Sequence, residues 1–179
     1  MDVDILPVLP QFLTVGLPDV AVKESKDRIK AAINNSGYKF PNNYVTVNLA
    51  PAYIEKERTG FELPIAVGMP TGKGCIELKD VFNYILIGEL SLDGNIKGID
   101  GVLPAAIRAK GMGKMGIIVA RENADEAAMV EAVEVIPVDV LSDIVEFLKG
   151  GKQIIPLTLY VADLSKSCNY HYDLSSILC

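Results

Sequence analysis

Between Asp19 and Asn35, apolar and small residues return at helical intervals: Val22, Ser25, Ile29, Ala32 and Ile33. That spacing predicts an amphipathic helix with one buried stripe. Asp19 is a good N-cap for the free amides of the first turn. Asn34-Asn35-Ser36-Gly37 closes the helix, and Gly37 suits a left-handed C-terminal cap. Lys23, Lys26 and Lys30 fall at i, i+3 and i+7 and share the exposed face. Glu24 is spaced to pair with Arg28, and Lys23 with Asp27.

The period changes along the rest of the chain. Residues 3–15 hold short extended runs broken by Pro7 and Pro10, the better strand being Gln11 to Val15. Y-V-T-V-N-L over 44–49 alternates and predicts a half-buried strand. A polar loop follows over 50–60. A second helix is predicted over about 60–69, with Thr59 as its cap and Pro64 tolerated in the first turn. Y-I-L-I-G-E-L over 84–90 predicts a strand, and Asp93-Gly94 a two-residue hairpin turn. Pro104 opens a helix over about 103–110, and G-I-I-V-A over 116–120 is a short buried strand. Asn123 and Glu126 have capping-box spacing ahead of a helix over about 124–132. Residues 133–138 form a further strand, and 140–149 a last helix that buries Val140, Leu141, Ile144, Val145 and Leu148. The alternation predicts an α+β domain with α/β-like character and a mixed sheet, because strand 84–90 leads straight into a hairpin. Residues 1–150 read as that domain, and 151–179 as an extended arm.

Composition narrows the class. Of 179 residues, 50% are hydrophobic and 22% charged, which fits one globular domain. A net charge of −6 argues against a general nucleic-acid coat but leaves room for a local basic face. No apolar run is long enough for a membrane helix. The amino terminus, M-D-V-D-I-L-P, is acidic where a secretory signal would be basic. Cys75, Cys168 and Cys179 are odd in number and lack C-x-x-C spacing, which fits a reducing cytoplasm rather than a disulfide framework or zinc site. His171 is the single histidine, which excludes any mechanism needing two. Lys73 lies between Gly72 and Gly74, but the spacing is not that of a phosphate loop.

Five segments carry a resemblance. V-G-L-P-D-V-A-V-K-E-S-K-D-R-I-K-A-A-I-N-N-S-G over 15–37, V-T-V-N-L-A-P over 45–51 and T-G-F-E-L-P-I-A over 59–66 are similar in order to the magnesium-chelatase-like ATPases of bacteria, the YifB/ComM family. G-E-L-S-L-D-G-N-I-K-G-I-D-G-V-L-P-A-A over 88–106 and R-E-N-A-D-E-A-A over 121–128 continue the match. The resemblance covers roughly residues 3–150. It implies a Lon-protease-like (ChlI) domain, related to the ribosomal-protein-like superfamily fold, ahead of an AAA+ ATPase. Y-D-L-S-S-I-L-C over 172–179 looks like the linker that precedes that module, so the chain reads as a fragment of a longer protein. Walker and arginine-finger motifs are absent from this sequence, so ATP and Mg2+ are expected for the ATPase module and no cofactor for this chain.

The Lon likeness raises a Ser/Lys peptidase, whose dyad positions fall on Gly60 and Leu103. Glycine supplies no nucleophile and leucine no base; Thr59 is one residue off and lacks an activating partner. No catalysis is therefore expected of this chain. The family implies a cytoplasmic, hexameric motor for DNA branch migration during natural transformation. Its partners would be the AAA+ module of the same parent, sister subunits and DNA, with no membrane. Lys23, Lys26, Arg28 and Lys30 are the candidate contact to DNA or a sister subunit. A metal-insertion subunit is the alternative implied by the chelatase name.

Overall fold

The computed structural model describes residues 2–6, 12–15, 19–41, 44–48, 61–71 and 81–158. Strands β1 (Asp2–Leu6), β2 (Phe12–Val15) and β3 (Tyr44–Asn48) form one sheet in the order β1-β3-β2. β2 runs parallel to β3 and β1 antiparallel to it. Helix α1 (Asp19–Asn35) makes the crossover between β2 and β3, as a parallel pair requires. Both proline-broken runs near the amino terminus are therefore strands.

α1 ends as its sequence predicts. Gly37 has φ +84°. The Tyr38 amide donates to the Ile33 carbonyl at 3.1 Å, and the Gly37 amide to Asn34 at 3.1 Å. These two bonds make a Schellman motif and satisfy carbonyls the helix would otherwise leave open.

Helix α2 (Glu62–Thr71) follows, running slightly later than expected. Next comes a second sheet of three parallel strands in the order β4-β7-β8: β4 (Tyr84–Ile87), β7 (Gly116–Ala120) and β8 (Glu134–Val138). The predicted strand 84–90 is split at Gly88. A Cβ there would lie 2.7 Å from the Ile96 Cγ2, so only glycine lets the chain pass. Beyond the break, β5 (Glu89–Leu90) and β6 (Ile96–Lys97) form a separate antiparallel hairpin. Mixed pairing of strands thus belongs to the first sheet; the three strands β4, β7 and β8 pair in parallel. The hairpin loop has three residues rather than two. The Gly94 amide donates to Ser91 at 3.0 Å and the Ser91 amide to Asn95 at 2.9 Å, with Gly94 at φ +87°. This is a type I turn closed by a left-handed residue.

Helices α3 (Val102–Gly111), α4 (Ala124–Ala128) and α5 (Leu141–Leu148) complete the layers. α4 stops four residues short of its expected end, and Ala132 takes a left-handed φ of +65° before β8. The parallel sheet is covered on both faces, as all-parallel sheets require. Ile118, Ala120, Ile136 and Val138 pack with α1, α2 and α5. Ile117, Val119 and Val135 pack beneath the alanine-rich α3 and α4. Successive residues of β7 thus serve opposite cores, which explains why G-I-I-V-A is apolar without alternating. Beyond α5, Ile154 packs on the first core and Leu157 on the second. The Leu157 amide donates to Val135 at 2.8 Å in an antiparallel bridge.

No helix among the described residues is long and apolar enough to cross a membrane.

Candidate functional site

The face singled out by sequence is α1. Ser25, Ile29, Ala32 and Ile33 are buried as the stripe predicts. Lys30 is exposed and Lys26 half-buried on the outer side, and Lys23 falls in the same helix. Arg28 does not join them. It lies two residues from both Lys26 and Lys30, roughly half a turn round the helix, and its guanidinium turns toward α2 and β5. Arg28 Nη1 is 3.5 Å from Glu62 Oε2 and 3.5 Å from Glu89 Oε1. The i, i+4 partner Glu24 is exposed instead.

Glu62 opens α2 and is only 2% exposed. Its Oε2 has no hydrogen-bond partner among the described residues; the Arg28 charge is near but not aligned with it. Burial pushes the Glu62 carboxyl up to about 7, the Glu89 charge adds to this, and Arg28 and a hydrogen bond from Ser25 oppose it. Near neutral pH this carboxyl is divided between its charged and neutral forms. Ser25 is itself buried, so the Ser25–Glu62 pair is closed to substrate. The cluster ties α1, α2 and β5 together rather than presenting a nucleophile.

A second polar group holds the entry to α3. The Asn123 side chain accepts from the Ile99 amide at 2.9 Å and donates to the Ile99 carbonyl at 3.1 Å. Glu122 Oε2 accepts from the Gly98 amide at 3.1 Å, and Glu126 Oε1 from the Leu103 amide at 2.9 Å. Glu126 thus caps α3 from outside and Asn123 holds the loop ahead of it, instead of the two forming a local capping box on α4. Leu103 lies in the first turn of α3, and its described polar contact is this backbone amide. Gly60 and Thr59 lie outside the described residues, as do Lys73, His171 and the three cysteines.

At the same carboxyl end of the parallel strands, Arg121 makes a two-pronged contact to Asp139, with bonds of 2.7 to 3.0 Å. Hydrogen bonding to Arg121 holds the Asp139 carboxyl below its usual range. The β5–β6 hairpin is fastened to the same end: the Ile96 amide donates to Asp139 at 2.8 Å, and the Leu141 amide to Gly94 at 2.9 Å. The carboxyl ends of open parallel strands often form a ligand crevice; here the hairpin lies over them. Among the described residues, no group of three or more His, Cys, Asp or Glu is arranged to hold a metal ion.

The arrangement is that of an α+β domain whose buried charges serve assembly of its own layers. Residues 1–123 match the family described as subunit ChlI of Mg-chelatase, and the chain belongs to that family. It is 37% identical over 145 residues to the competence protein ComM of Haemophilus influenzae, covering 81% of this chain and 28% of that protein. It is 37% identical over 150 residues to the protein YifB of Escherichia coli, covering 84% and 29% respectively. A Mycobacterium tuberculosis relative is 35% identical over 151 residues, covering 84% and 30%. The chain therefore spans less than a third of the length of the curated relatives it matches.

Proposed function

We propose that this chain is a non-catalytic accessory domain of a cytoplasmic, magnesium-chelatase-like AAA+ ATPase that works on DNA during natural transformation. One observation carries the reading: a match to a competence protein across four-fifths of this chain that takes up under a third of that protein. In this reading ATP and Mg2+ act in the remaining module, and sister subunits assemble into a hexamer. The domain contributes surfaces. Its outer α1 face, Lys23, Lys26 and Lys30, meets DNA or a sister subunit, while Arg28 braces the helix from inside. An apolar Leu103 in the first turn of α3 fits a domain without peptidase chemistry.

The test is transformation frequency in a strain whose gene lacks the codons for residues 1–158. A fall of at least tenfold, matching deletion of the whole gene, is expected. Normal transformation in that strain would sink the reading. Charge reversal at Lys23, Lys26 and Lys30 should weaken DNA binding or assembly of the full-length product, whereas Arg28→Met should act through stability. The family's chelatase name favours a second reading, part of a metal-inserting ATPase. Loss of magnesium tetrapyrroles on gene deletion, with transformation intact, would select it.

A further inference from the structure

The amino-terminal edge of the parallel sheet is unlike the rest of the described surface. Tyr84, Gly116 and Glu134 begin β4, β7 and β8 in register, so the residues just ahead of them crowd one edge. Backbone bonds fix that edge: the Met115 amide donates to Asn83 at 2.9 Å and the Glu134 amide to Met115 at 3.1 Å. Here Phe82 is 63% exposed, Met112 55%, Met115 52% and Met129 52%. Large apolar side chains grouped at one edge mark an interaction surface, and methionines adapt to an apolar partner. A cavity of about 300 Å3 opens beside Met115 and continues past Tyr84 and Phe147 to Gly150, room enough for an apolar side chain.

The course of the polypeptide points to the occupant. Leu157 pairs with Val135 antiparallel to β8. β8 runs away from the amino-terminal edge, so the chain at Thr158 runs toward it. Thr158 therefore reaches that edge beside Glu134, with Met115 and then Phe82 farther along it. The matched segment is only 28–30% of its relatives, so most of such a protein lies outside it. A tethered surface binds at high effective concentration and needs little intrinsic affinity.

We propose that this edge is the docking face for the module that continues the parent polypeptide beyond Thr158, seated in cis through an apolar surface with one side chain in the cavity beside Met115. The proposal rests on the reading of this chain as an accessory domain of a larger ATPase. Docking is read by photo-crosslinking, which needs no transformation phenotype, so the two can fail separately.

The experiment places a photoreactive phenylalanine analogue at Phe82 in the full-length gene product, with a control at Leu92. Leu92 is 60% exposed in the β5–β6 hairpin, at the other end of the strands. Light and heavy isotope-labelled copies are mixed before irradiation. The expected result is a crosslink from position 82 to peptides beyond residue 158 within one copy. It should exceed the Leu92 control at least tenfold and fall to the control level in Met112→Glu/Met115→Glu. Both methionines are more than half exposed, so this variant should keep the parent's melting curve. Crosslinks joining light to heavy copies would overturn the proposal in favour of self-association. Equal yields from positions 82 and 92, an unaffected yield in the double variant, or a gene product with no such module would also overturn it.

Discussion

The two faces of the parallel sheet solve the problem of buried polarity differently. Beneath α3 and α4 the core is apolar, and the acids Glu122 and Glu126 sit at its rim, where loop and helix-end amides point at them. Beneath α1 and α2, Glu62 is buried in the first turn of α2, yet its Oε2 takes no backbone amide among the described residues and faces a cation from another helix instead. An acid that accepts from loop or helix-entrance amides is satisfied by hydrogen bonds the backbone offers anyway. A buried acid paired with a side-chain cation holds only while that partner stays in place.

That contrast can be broken at its strongest point. Arg28→Met leaves Glu62 buried without a cation and should destabilise the domain by about 3 kcal/mol at pH 8, read from urea unfolding. At pH 5, where Glu62 is neutral, the loss should shrink to a fraction of that; equal losses at both pH values would show that Arg28 acts through packing alone. The parent protein should carry the same signature. Glu62 titrates near 4.5 when unfolded and about 7 when folded. Between those values the folded state holds more protons, so stability falls as pH rises from 4.5 to 7, by roughly 3 kcal/mol at 1.36 kcal/mol per unit. Glu62→Gln should flatten that slope.

On the other face, Asn123→Ala orphans the Ile99 amide and carbonyl and should cost about 1–3 kcal/mol at any pH from 5 to 8. Glu126→Ala removes one cap bond and should cost about 1 kcal/mol. A pH-dependent loss in Asn123→Ala would erase the distinction between the faces. The smallest effect is expected at Arg121, which is well exposed: Arg121→Gln should leave the urea midpoint in place at physiological salt.

Much of this fold was legible because its signals are local. The stripe through Ser25, Ile29, Ala32 and Ile33 follows from helical period, and the Gly37 cap from the one residue type at ease with φ +84°. The buried run G-I-I-V-A follows from its apolar continuity. What escaped were contacts between residues far apart in sequence. Arg28 has a good partner four residues away in Glu24, yet its ion pairs are with Glu62 and Glu89. Asn123 and Glu126 have capping-box spacing, yet they reach back more than twenty residues to Ile99 and Leu103. In both cases a local pairing on the surface lost to a polar group elsewhere that burial left in need. One signal was available: Arg28 lies on the opposite side of α1 from Lys26 and Lys30, which separates it from the lysine face.

The staple at Leu157 has a mechanical meaning. Among the described residues, the stretch 154–158 is fastened by one backbone hydrogen bond to Val135 and by the apolar contacts of Ile154 and Leu157. A pull transmitted through that segment meets this fastening first. It would come away before β8 lost its own five-residue pairing with β7. The arm would then lengthen under load and take up slack while the domain stayed folded, as a fuse protects the circuit behind it.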